Sequence, residues 1–311
     1  MGTKKRMIVI DRFFTTKDTL RMPSLLRYSA DRRTLGYMIV ATALLVVQWL
    51  LPSLNVFLYV LCLFMAVSVS VIAHNHNHLP IWRFRWMNIL TDYWITLFYG
   101  FPAFAWIPTH NSNHHKFNNR AGDYTITYRF SEANNFFTLV SYPSISGYFQ
   151  QRPIREYLKM LRRTRSSKFW LAVSQYAVLA LAYAVALWLD WRNAVLFLII
   201  PHQVSLFAVL IFNYVQHVHA DEESRYNHSR NFTGLLNAML FNNGYHTIHH
   251  EHPGIHWSET PAAQKAIADQ IDPSLVERSF WWYITRVYLL GPIFPRFKTV
   301  SMRQRRLALV R

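Results

Sequence analysis

The chain has 311 residues, 52% of them hydrophobic and 16% aromatic, and still carries a formal charge of +17. Apolar mass and basic charge on that scale must be segregated along the sequence, which excludes an ordinary soluble domain with an evenly mixed surface. A single cysteine, Cys62, excludes an intramolecular disulfide and a cysteine-held iron-sulfur or rubredoxin site, and the nine glycines form no G-x-G-x-x-G or P-loop pattern.

In chain order, Met1 to Arg33 is polar and lacks an apolar h-region, and M-G-T-K-K-R lacks the Ser or Thr of a myristoylation site, so neither a leader nor a lipid anchor is expected. Leu35 to Leu51 and Leu54 to Ala73 are nearly uncharged runs close to the ~20 residues that a spanning helix needs, parted only by Pro52 and Ser53. H-N-H-N-H follows at His74 to His78. Met87 to Ile107 is aromatic but broken by Gly100 and Pro102 and holds Asp92. A span there would put successive histidine clusters on opposite sides, so an interfacial segment or a buried cap helix is expected. H-N-S-N-H-H occupies His110 to His115, and a basic stretch runs from Arg152 through Arg155, Lys159, Arg162, Arg163 and Arg165 to Lys168. Phe169 to Leu189 and Ala194 to Val215 form a second apolar pair joined by Asp190 to Asn193. N-Y-V-Q-H ends it at Asn213 to His217, and H-T-I-H-H follows at His246 to His250. Trp281 to Phe294 is short and has Arg286 in its middle, which argues against spanning.

These runs predict an all-α integral membrane protein with four transmembrane helices, 35–51, 54–73, 169–189 and 194–215, in two hairpins. Residues 74–168 and 216–311 form a helical cap, and 1–311 is one domain. Only Arg192 among 33 Lys and Arg falls in a hairpin tip, so the positive-inside rule places the termini, the cap and every histidine cluster in the cytosol, with a bacterial inner membrane expected over the endoplasmic reticulum. Topology accounts for the cations, and no nucleic-acid partner is expected.

Imidazole suits zinc and iron, and two histidines at i and i+4 on a helix lie roughly 6 Å apart on one face. His74, His78, His110, His114, His115, His217, His246, His249 and His250 are the predicted metal ligands, with Asn213 nearby. Nine imidazoles exceed the four that one tetrahedral ion takes, so two ions are expected. His76 lies two residues from His74 and His78 and points off their face. His228, His252 and His256 are assigned substrate-side, outer or structural positions, and His219 is worse placed for ligation than His217. His202, some 22 Å of helix from His217, lines the far end of a substrate tunnel or makes a helix contact. Asp123, Asp221, Asn243 and Glu251 are the predicted hydrogen-bond partners of the ligand histidines, with Asp92, Glu259 and Asn242 also near the boxes.

H-x-x-x-H, H-x-x-x-H-H and H-x-x-H-H, in this order and interleaved with apolar hairpins from roughly residue 35 to 260, resemble the three histidine boxes of the integral-membrane fatty acid desaturase and hydroxylase superfamily. N-Y-V-Q-H is similar to a motif of the membrane alkane hydroxylases, and the resemblance implies that Asn213 contributes to the metal site directly or through water. The resemblance implies a non-haem diiron centre with two iron ions, O2 as co-substrate, and desaturation of a fatty acyl chain presented as free acid, coenzyme A ester, carrier-protein ester or phospholipid. Hydroxylation, oxidative decarboxylation and carotenoid oxygenation are the alternatives within that superfamily, and a histidine-rich metal transporter or sensor is the alternative outside it. No electron-delivery module is fused to the chain, so an external ferredoxin, rubredoxin or cytochrome b5 type donor is expected.

Overall fold

The structure is a computed structural model that describes residues 24–309, so the leader and myristoylation expectations for the first residues lie outside it. The fold is mostly helical, with one two-stranded parallel pair, β1 (Asn231–Phe232) and β2 (Val276–Glu277). Helix α1 (Arg32–Leu50) packs along α2 (Val56–His78), and α2 continues past the apolar run to carry the first histidine box on its last two turns. Asn55 caps α2 by accepting from the Leu58 N–H.

Three helical stretches among the described residues are long and apolar enough to cross a membrane: Ser29–Leu50, Val56–His78 and Ser167–His217. The last holds both runs of the second expected hairpin. Its helix α5 (Ser167–Ala194) contains Asp190 in an extended conformation at φ −159° and ψ 101°, and the Asp190 carboxylate accepts from the N–H groups of Arg192 and Asn193, capping the next helical stretch. A π-helical turn, Val195–Ile199, leads into α6 (Ile200–His217). The Tyr183 hydroxyl lies 2.7 Å from His202 Nδ1 although 19 residues separate them, a distance of about 28 Å along a straight helix, so the chain folds back at Asp190. His202 therefore makes a helix contact.

Between the apolar stretches, α3 (Arg85–Tyr99) is too short to be a candidate span. It ends at Gly100, whose φ of +80° and lack of a Cβ are both required, because a side chain there would collide with His202. After a 3-10 turn at Ala103–Ala105, residues Ile107–His114 form a π-helix. Helix α4 (Phe136–Arg163), for which the sequence reading named no element, starts with a reciprocal capping box between Asn135 and Thr138. The main core joins α1, α2, α3 and the turn before the π-helix through Leu44, Met65, Val69, Ile95, Tyr99 and Trp106. A second core joins α4 and α6 to the aromatic segment near Tyr283. Helix α2, the π-helix, α6 and α7 (His246–Glu251) converge where their histidines meet.

Candidate metal centre

Nine histidines meet at that convergence in two groups, each with its ring nitrogens within 4.8 Å of one another. His74, His78, His110, His115 and His249 form the first group, and His114, His217, His246 and His250 the second. The regular helix α2 gives both its i, i+4 imidazoles to the first group. At the end of the π-helix, where the hydrogen-bond ladder runs i to i+5, His110 and the capping His115 share a group while His114 turns to the other. The short α7 splits as well, with His246 and His250 in one group and His249 in the other. The groups abut where the His115 and His250 rings lie 4.5 Å apart.

Close nitrogen pairs occur within both groups: His74 to His249 at 3.0 Å, His110 to His115 at 3.1 Å, His217 to His246 at 2.9 Å and His246 to His250 at 3.1 Å, all between Nε2 atoms. Donors about 2.1 Å from a common ion lie about 3.0 Å apart when their bonds meet at right angles, and about 3.4 Å apart in a tetrahedron. Buried Nε2 atoms of His78 and His114 have no hydrogen-bond partner. Spacing, orphaned lone pairs and five donors in one group fit an ion that takes more than four ligands better than a closed tetrahedral zinc site.

Outer contacts fix the rings. His114 Nδ1 lies 2.8 Å from an Asp123 oxygen and 2.9 Å from Thr125 Oγ1. Asp123 also accepts from the backbone N–H groups of Asn119 and Thr125 and from the Thr125 hydroxyl. Burial raises its pKa, but the His114 imidazole and the Thr125 hydrogen bonds outweigh this and bring the carboxyl down to about 2. His217 Nδ1 donates to the His228 carbonyl, and His74 Nδ1 lies 3.0 Å from the Asn75 amide oxygen. Each contact holds Nδ1 and leaves Nε2 facing the cluster. Burial, and after it repulsion from neighbouring imidazoles, drives the pKa values of His110, His246, His249 and His250 well below the ordinary value and that of His115 to about 2, so these rings are neutral donors at pH 7.

A cavity of about 260 Å³ opens from the cluster, edged by His74, His110 and His246 and walled by Tyr99, Phe101, Trp106, Ile154, Leu206 and Leu210. It runs along α6 from Gln216 to Gln203, about 20 Å of helix. A fatty acid desaturase profile matches residues 48–282, which include every histidine of both groups. The chain belongs to the fatty acid desaturase family. No match was found among the curated proteins.

Against this family frame, Asn213 lines the cavity and turns its amide nitrogen to the Tyr142 hydroxyl at 2.6 Å. Of the predicted partner residues, Asp123 holds a ligand-group histidine, whereas Asp221 pairs with Arg306 and Glu251 with Arg225. Both are carboxylates close in sequence to histidines, but the nearest cations capture them. Asn243 borders the cavity and receives Gln216 on its backbone carbonyl. His76 is buried outside both groups, with Nδ1 accepting from Ile81 N–H and Nε2 facing Asp92 at 3.5 Å. His219 contacts Thr299 and the Glu132 carbonyl, and His256 pairs with Asp31. Sequence reasoning missed Thr125 and Tyr142, which link Asp123 to Asn213; only D-Y-T beside Asp123 hinted at the first.

Proposed function

We propose that this family member desaturates a fatty acyl chain using O2, with two irons held by the two histidine groups and electrons from an external ferredoxin, rubredoxin or cytochrome b5 type donor. The observation that carries this reading is the junction of the nine-imidazole cluster with a long apolar cavity. An iron pair in a neutral imidazole set supplies, with O2 and two electrons, an oxidant able to take hydrogen from an unactivated C–H bond. The chain's own residues do the rest. Tyr99, Phe101, Trp106 and the α6 aliphatics hold a hydrocarbon chain by burying it, and exclude water from the reacting carbons. Asp123 and Thr125 keep His114 in one tautomer, and Tyr142 positions the Asn213 amide at the cavity wall.

In this reading the protein spans a membrane four times in two hairpins, with the histidine boxes in a cytosolic cap. The α4 cations from Arg152 to Arg163 form a basic rim suited to an anionic head group or an acidic donor protein. Hydroxylation is the second reading, favoured by Asn213 of N-Y-V-Q-H standing at the cavity beside the histidines.

The test is product analysis with an acyl substrate deuterated at two adjacent carbons, in labelled O2 with a reductant system. Desaturation removes two deuterium atoms and leaves no label in the lipid; a main product carrying one labelled oxygen would replace desaturation with hydroxylation.

A further inference from the structure

The nine imidazoles divide five and four, and a tenth stands beside the smaller group. His228 lies in the loop between α6 and β1 and is 2% exposed. Its Nδ1 faces the carbonyl oxygens of Arg225 at 2.9 Å and Ser224 at 3.3 Å. A carbonyl only accepts, so Nδ1 carries the proton and Nε2 keeps its lone pair. That Nε2 is buried and has no hydrogen-bond partner. The ring meets His250 edge to face, with centroids 5.5 Å apart, and the His228 carbonyl already accepts from Nδ1 of His217, another member of the same group. His114 has the same signature, with Nδ1 held by an oxygen and a buried Nε2 without a partner.

Two other buried side chains outside the cluster, His256 and Arg230, face charged or carbonyl partners instead. The Nε2 of His256 faces Asp31 at 3.2 Å, and the buried Arg230 donates to the Val215 and Val218 carbonyls. Among the described histidines outside the nine, His228 alone combines an orphaned lone pair with a position against a ligand-group ring.

We infer that His228 is the fifth imidazole of the second group, its Nε2 taking a coordination position on that group's ion. The inference rests on the two-ion reading above. Its nitrogen stands outside the 4.8 Å circle of the other four, so ligation draws the loop inward. That loop is short and anchored at both ends, by Asp221 N–H to the Asn227 carbonyl and by Arg230 N–H to the Gln216 carbonyl, so the movement is a small closure of a preformed turn. With His228 included, each ion has five imidazoles.

Two substitutions separate ligation from loop support. His228→Asn keeps an amide nitrogen near the Nδ1 position and removes Nε2, whereas His228→Gln places its amide near Nε2 and gives up the Nδ1 contact. Full-length protein purified anaerobically with iron would be challenged with a chelator, following iron per chain and the Mössbauer signal of each ion. Ligation predicts that His228→Asn loses one of the two ions about 10- to 100-fold more readily, with that ion's spectrum altered and the other's unchanged, while His228→Gln loses less. Millimolar imidazole should slow the loss in His228→Ala. Parent-like retention and spectra in His228→Asn, with loss in His228→Gln, would overturn the inference and leave His228 a loop support. A single ion in the unaltered protein would instead remove the two-ion reading, and this inference with it.

Discussion

The first and second histidine boxes make opposite use of helix geometry. On α2 the ladder is regular, and His74 and His78, four apart, serve one group while His76 is turned away into a contact with Asp92. Ile107–His114 is a π-helix closed by the His115 N–H bonding to the His110 carbonyl, so His110 and His115, five apart, share a group while His114, four from His110, belongs to the other. The i, i+4 face of α2 serves one group. The shifted ladder and the short α7 each bring neighbouring imidazoles to both groups, so the π-helix and α7 together make two adjacent groups from linear boxes.

The largest effects should distinguish those two elements by which ion is lost. His78→Ala should remove turnover and deplete the first group's ion, whereas His114→Ala should remove turnover and deplete the second group's, as read by iron content and Mössbauer spectra of membrane-purified protein. Loss of the same ion in both variants would break the comparison. Asp123→Asn reaches the metal through His114, and a 10- to 100-fold loss in metal affinity or turnover, confined to the second ion, is expected.

Acid should act on both elements together. The neutral rings of His110, His246, His249 and His250 have folded pKa values far below the ordinary value near 6.5, so the unfolded chain binds more protons than the folded one below about pH 6.5. Stability of the metal-free protein is therefore present above that pH and lost as pH falls, by up to about 1.4 kcal/mol per pH unit for each such histidine. Thermal melts between pH 5 and 7.5 check this; a flat profile would contradict the buried neutral rings. Asp123 should add no loss in that window, since its carboxyl stays ionised down to about pH 2. The smallest effect belongs to His76→Ala, which should cost about 1–3 kcal/mol of stability through its buried contacts and leave iron content and turnover per bound iron unchanged.

How far the sequence revealed this molecule follows from the same contrast. Apolar runs, the charged tip at Asp190 and the box spacings are local features, and they pointed to the long helices, the fold-back and the nine histidines. The partition between groups was not legible, because H-N-S-N-H-H reads equally as an α-helical i, i+4 pair and nothing in its composition announces an i to i+5 ladder. Helix α4 escaped because its serines, glutamines, Pro143 and Pro153 blur the apolar period, although the structure seats Tyr142 and Leu139 in the core. Asp221 and Glu251 show the limit of proximity in sequence: a carboxylate near a histidine in the chain goes to whichever cation packs closest, here Arg306 and Arg225.

The central claim is that the two groups each hold an iron. Quantifying iron per chain in anaerobically purified, reductant-activated protein, together with its O2-dependent acyl turnover, tests it most directly. The account predicts close to two irons per chain, with turnover rising in proportion to occupancy of the pair; full turnover at one iron per chain would contradict it.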